Sequence, residues 1–247
     1  MDHHTLAAIS ITGTSLDLLG SVYLAYDLLG GQHGPLRLLT RAVTYSVVFG
    51  LGYGLGLGVF FALVAGAATG ITVAIELNRV ARGLDPYPLY WEAFFSAIRG
   101  IAFGLGMSHL LGKRYGAIFA ILITLGQTTA YFFGVRPSID YSTSRKPRFT
   151  RRQFRAMVMR ILGFIVATLI CSALVHHVDH PWAFAIRGGL VIGIATGVGT
   201  IINPFIEYYA DHLPTQRLGA FGIVLILCGF LLQSLQYWVS LLDIRLT

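Results

Sequence analysis

Apolar residues run along this chain in long blocks separated by short polar breaks, and that pattern sets the expected structure. A helix needs roughly 20 residues to cross about 30 Å of hydrocarbon. Blocks of that order lie at 6–29, 42–57, 59–78, 91–112, 115–135, 156–177, 184–206 and 218–242. They predict an all-α polytopic membrane protein with about eight transmembrane helices. No charged residue occurs from Ala42 to Ile75, a stretch too long for one span. A tight turn within Gly52, Gly54, Gly56 and Gly58 is expected to fold it into a hairpin, because glycine accepts the positive φ of such a turn. The Met1-Asp2-His3-His4 start lacks the basic region of a signal peptide and Asp17 interrupts the first block, so that block is read as a retained span.

Small residues repeat within this pattern. Residues 63–75 read LVAGAATGITVAI and residues 190–202 read LVIGIATGVGTII, with seven of thirteen positions identical at an offset of 127. Arg41-Ala42 opens the second helix as Arg155-Ala156 opens the sixth, and Leu19-Gly20 resembles Leu125-Gly126. The reading is a duplication of four helices plus four, 1–114 and 115–247, with 136–155 as a basic linker. Spans four apart cross in the same direction, so the two copies form a parallel repeat about a pseudo-two-fold axis along the membrane normal. Ala62, Gly66 and Gly70, and in the second copy Gly189, Gly193 and Gly197, recur every four residues. Each set strips one helical face of side chains. Lipid offers little hydrophobic drive between helices, so such faces suit close backbone packing. The third and seventh helices are therefore expected to pack closely, with each other at the pseudo-axis as one arrangement. Gly100 and Gly104 offer a third such face.

Composition supports the membrane class. Hydrophobic residues make up 55% and charged residues 12% of 247, and mean hydropathy is +0.70. Soluble domains carry about 25% charged residues. Disordered chains, nucleic-acid binders and most soluble folds are excluded. The net charge of +7 is concentrated in the linker, at Arg136, Arg145, Lys146, Arg148, Arg151, Arg152 and Arg155. With the N-terminus outside, inner segments hold twelve basic residues and outer segments three. The positive-inside rule then places both termini outside and the linker in the cytoplasm; the charge rule does not identify the host membrane, and a prokaryotic inner membrane is the expectation. The same basic residues are candidates for anionic lipid headgroups. Cys171 and Cys228 both fall in apolar blocks and are expected to pack as small apolar groups.

Ionisable groups at membrane depth are the candidate chemistry, because each is costly there. Glu76 and Asn78 end the third helix. The repeat sets Asn203 against Glu76, with Glu207 one turn further on. These four are read as an inner vestibule for a cation or proton, or else Glu76 merely anchors its helix by pairing with Arg79 or Arg82. Asp17 lies nearer mid-span, with Arg99 as its candidate partner, either as a structural bridge or as a coupling pair. His109 and Gln127 are read as satisfied interior groups. His176, His177 and His180 with Asp179 are weak metal candidates in an outer loop.

No phosphate-binding glycine loop, HExxH pair or GxSxG elbow occurs, and no cofactor is expected. The functional expectation is a transporter or channel for a small ion or polar solute, with its pathway between the repeats. The alternative is a scaffold that docks lipid, a second copy or a partner membrane subunit. An enzyme acting on lipid-linked substrates is the least favoured.

Overall fold

The computed structural model describes residues 3–29, 36–81, 88–133, 151–175, 181–212 and 217–241. Every element among the described residues is a helix: α1 (His3–Leu28), α2 (Arg37–Leu57), α3 (Val59–Ala81), α4 (Leu89–Leu111), α5 (Lys113–Phe132), α6 (Arg151–Leu174), α7 (Pro181–His212) and α8 (Arg217–Leu241). Helices α2 to α8 each contain a stretch long and apolar enough to cross a membrane, which fits an integral membrane protein. The eight elements coincide with the eight apolar blocks. The expected hairpin turn is the single residue Gly58, at φ +87°. A Cβ there would meet nothing within 4 Å, so backbone conformation rather than space selects glycine. Gly112, at φ +92°, makes the same one-residue break between α4 and α5.

The chain divides into two compact units, residues 1–44 with 210–247, and residues 45–209. Each draws helices from both sides of the expected repeat boundary at 114/115. In the first unit α1 and α8 run antiparallel. Gly13 faces Gly229 and Gly20 faces Gly222, so closely that a Cβ on Gly13 would lie 2.7 Å from the Gly229 carbonyl oxygen and one on Gly222 would lie 2.6 Å from that of Gly20. Seven residues separate the glycines on each helix, two helical turns, so the seam stays on one face. Further along, the Gly219 backbone N–H donates to Asp27 Oδ2 at 3.2 Å. Tyr23, Tyr26 and Leu218 close the apolar side of this pair, and Thr44 donates to the Tyr23 hydroxyl at 3.4 Å.

In the second unit α4 and α5 form a similar antiparallel seam. A Cβ on Gly104 would lie 2.6 Å from the Gly116 carbonyl oxygen, and one on Gly100 would lie 2.6 Å from that of Ala120. The stripes of α3 and α7 each pack on the preceding helix rather than on each other. Gly66 and Gly70 sit against Gly50 and Ser46 of α2, while Gly189, Gly193 and Gly197 sit against Ile165, Ile161 and Met157 of α6. Ala62 borders Gly50 and Gly54 on the same α2 face. Helix α2 also crosses α7 antiparallel, with Gly52 on Ala195 and Phe49 on Gly199. The interior is aromatic. Tyr53 is fully buried, with ring centroids of Phe49, Phe61 and Phe103 at 6.1, 5.8 and 5.4 Å.

The distribution of side chains inverts that of a soluble core. Threonine, asparagine, glutamate and arginine are buried, while Leu63, Ile101, Ile121, Leu125 and Leu162 face outward. Aliphatic groups lose nothing by facing hydrocarbon, whereas every polar group must find a partner inside.

Close backbone contact at the seams leaves no room for a larger side chain. Gly20→Leu and Gly193→Leu should each lower unfolding stability by about 3 kcal/mol or more, whereas Gly126→Ala should be neutral or stabilising by up to about 1 kcal/mol. Thermal unfolding in detergent reads both.

Candidate functional site

Helix α4 carries three polar residues on one face. Glu92, Ser96 and Arg99 are spaced four and three apart, about one turn each, so their side chains stack along the axis. Ser96 Oγ donates to Glu92 Oε1 at 3.2 Å, and Arg99 Nη2 donates to Ser96 Oγ at 3.3 Å. Arg99 also forms an ion pair directly with Glu92. Both residues are buried. Arg99 stands near the middle of α4, where an isolated guanidinium costs roughly 3 kcal/mol or more. Glu92 offsets that cost from the same helix. The α4–α5 seam holds the ladder in place: Thr124 of α5 bonds its own turn at 2.8 Å and reaches the Ser96 carbonyl at 3.4 Å.

The ladder opens on a cavity of about 200 Å³ within the 45–209 unit. Six helices line it. α2, α3 and α4 bring Phe49, Thr69 and the Glu92–Arg99 pair; α5, α6 and α7 bring Gln127, Arg160 and Thr196. Most of the remaining wall is aromatic or aliphatic. Arg160 is half-buried near the middle of α6, where Glu76 and Glu92 favour its charge and the like-charged Arg99 opposes it. Thr69 and Thr196 are matching positions of the 127-residue offset, and both reach the cavity. The Tyr53 hydroxyl shares a 2.9 Å hydrogen bond with Thr196. Gln127 Oε1 and Arg99 Nε are buried without hydrogen-bond partners. The wall is thus mostly apolar with a few convergent polar groups, the usual make-up of a small-molecule site.

The residues expected from sequence fall in several places. Arg99 is in the cavity wall, paired with Glu92 and not with Asp17. Asp17 is held on α1 by Gln233 of α8, which donates to Asp17 Oδ2. Two turns along one helix make Glu92 a nearer partner than any acid on another span. Glu76 and Asn78 are buried at the end of α3, and Glu76 acts electrostatically on Arg160. Asn203, almost fully buried on α7, has neither side-chain atom hydrogen-bonded. The Glu207 side chain lies outside the described residues. So do Arg145, Lys146 and Arg148, the Arg152 side chain, and His176, His177 and His180. Arg151 and Arg155 are exposed on the first turns of α6.

Sequence reasoning missed Glu92, Ser96 and the role of Arg160. The signal for the first two was present: an acid seven residues before a buried base lies on the same face. Arg160 stood out as a charge within a span, but no spacing linked it to Arg99 on another helix.

Removing one member of the buried pair leaves an uncompensated charge. Arg99→Met should destabilise the protein by about 3–5 kcal/mol, and the double variant Glu92→Leu/Arg99→Met should recover most of that loss. Thermal unfolding of the four chains of this cycle measures it.

No protein-family model matches the chain, and no curated protein or solved structure matches it either.

Proposed function

We propose that this chain is an integral membrane transporter for a small polar solute, built as a duplication of four helices, with the cavity of the 45–209 unit as its substrate site. The observation that carries this reading is the make-up of that cavity: three helices from 1–114 and three from 115–247 line a mostly apolar space into which a few polar and charged side chains converge. A scaffold has no need of such a space, because burying two guanidinium groups there costs stability that apolar packing would avoid.

The pattern of helix contacts supports the duplication. Exchanging the two sets of four helices turns the pair α1/α8 into α5/α4, and both pairs are antiparallel seams in which glycine meets carbonyl oxygen. It turns α2/α3 into α6/α7, and in both the small-residue stripe of the second helix packs on the first. It exchanges Thr69 with Thr196. Substrate sites at the interface of such repeats recur among transporters. Under this reading Glu76, Asn78, Asn203 and Glu207 form the inner gate, below Arg99 and Arg160. Asp17 is the half-buried acid of the α1/α8 seam. Both termini lie outside, and the linker faces the cytoplasm of a prokaryotic cell, where its arginines meet anionic headgroups.

Proteoliposome uptake tests the assignment. Lactate, glycine, glycerol and rubidium are offered separately to vesicles with and without protein. At least one should enter faster with protein, and Arg160→Gln should slow that solute at least tenfold, about 1.4 kcal/mol in the barrier. Leu227→Ala, on the outward face of α8, should leave it unchanged. Uptake of all four at the rate of empty vesicles would favour the scaffold.

A further inference from the structure

The cavity also constrains the charge and size of what it holds. Two guanidinium groups and one carboxylate line it, Arg99 and Arg160 against Glu92. Glu92 Oε1 already receives hydrogen bonds from both Arg99 and Ser96. Its charge is committed along α4. Arg160 lines the cavity from another helix, α6. Glu76 tempers its charge from α3 but is not part of the lining. The lining therefore has a surplus of one positive charge and of N–H donors. In a low-dielectric surrounding, a group that accepts from Arg160 and carries one negative charge is the complement. A guanidinium presents paired N–H donors that match a carboxylate edge to edge.

Size follows from volume. A cavity of about 150 Å³ lined by apolar side chains holds a benzene molecule. The 200 Å³ here leaves room for a ring or a short branched chain plus one carboxylate. The apolar end would rest among Phe49, Phe103 and Phe164, and the carboxylate on Arg160.

We infer that the cavity binds a small organic monoanion, a carboxylate on an apolar body of about six carbons, with Arg160 as its charge partner. This rests on the substrate site proposed above and names the class of molecule it takes. A phosphate-bearing lipid headgroup shares the anionic chemistry, but its chains and glycerol exceed the volume, so the assignment is to a free acid.

Equilibrium binding to the full chain in uncharged detergent tests it, with benzoate, benzyl alcohol and benzylamine at neutral pH as probes of one shape and three charges. Benzoate should bind saturably at one site and raise the unfolding temperature. Benzyl alcohol should bind at least tenfold more weakly, and benzylamine should not bind. Arg160→Gln should weaken benzoate at least tenfold, and Arg160→Lys should recover part of that loss. The three-probe comparison on the unaltered chain stands even where Arg160→Gln does not fold. Equal binding of all three probes, or benzoate binding unchanged in Arg160→Gln, would overturn the inference. So would stabilisation by phosphatidylglycerol with none by benzoate. Benzoate binding without uptake in vesicles would uphold the site and sink transport; uptake of glycerol or rubidium without benzoate binding would do the reverse.

Discussion

Helices in hydrocarbon gain almost nothing by hiding aliphatic side chains from one another, so something else must hold them. Here it is backbone contact at glycine. Gly13 and Gly20 meet Gly229 and Gly222, Gly104 meets Gly116, Gly66 and Gly70 rest on α2, and Gly189 and Gly193 rest on α6. At the α1/α8 and α4/α5 seams a carbonyl oxygen of one helix lies against the glycine Cα of the other, where dispersion and weak Cα–H···O contacts act over many atoms. Each seam brings two axes close together. The side chains displaced from the seams are large aromatic ones, and they fill the spaces where helices diverge.

That arrangement explains why polar groups are tolerated at mid-span. Tight seams on the flanks leave a cavity between six helices of the 45–209 unit, in which Glu92 and Arg99 are buried and Arg160 is half-buried. Glu92 and Arg99 pair along α4, and Glu76, outside the lining, tempers but does not remove the second guanidinium charge, that of Arg160. An interior kept only for stability would be better filled with leucine. A mostly apolar cavity of about 200 Å³ that holds three charged side chains costs desolvation, and the proposed binding role gives that cost a use.

The number and limits of the helices were legible in the sequence because lipid imposes one rule, about twenty apolar residues per crossing, that no tertiary contact overrides. The Gly58 turn was legible because a charge-free stretch from Ala42 to Ile75 cannot be one helix. The stripes on α3 and α7 were legible as close-packing faces, but not their partners: a period of four says which side of a helix is bare and nothing about what covers it. Partner choice for charges failed in the same way. Asp17 and Arg99 looked complementary along the chain, yet Gln233 and Glu92 hold them. Arg160 joins the site only because α6 lines the same cavity as α3 and α4, a non-local fact. Asp17 and Arg99 rank alike as buried charges in the sequence; geometry puts only Arg99 on the cavity.

The proposed substrate site is a cavity lined by six helices, and Thr69 and Thr196, which lie 127 residues apart in matching sequence segments, both reach it. Thiol accessibility tests it most directly. In a chain whose Cys171 and Cys228 are replaced by alanine, Thr69→Cys and Thr196→Cys are each exposed in membranes to a small charged methanethiosulfonate reagent, with Leu63→Cys on the lipid side of α3 for comparison. The account predicts that both cavity positions react at similar rates and that Leu63→Cys does not react. Silence at both threonine positions would mean a dry interior and would contradict it.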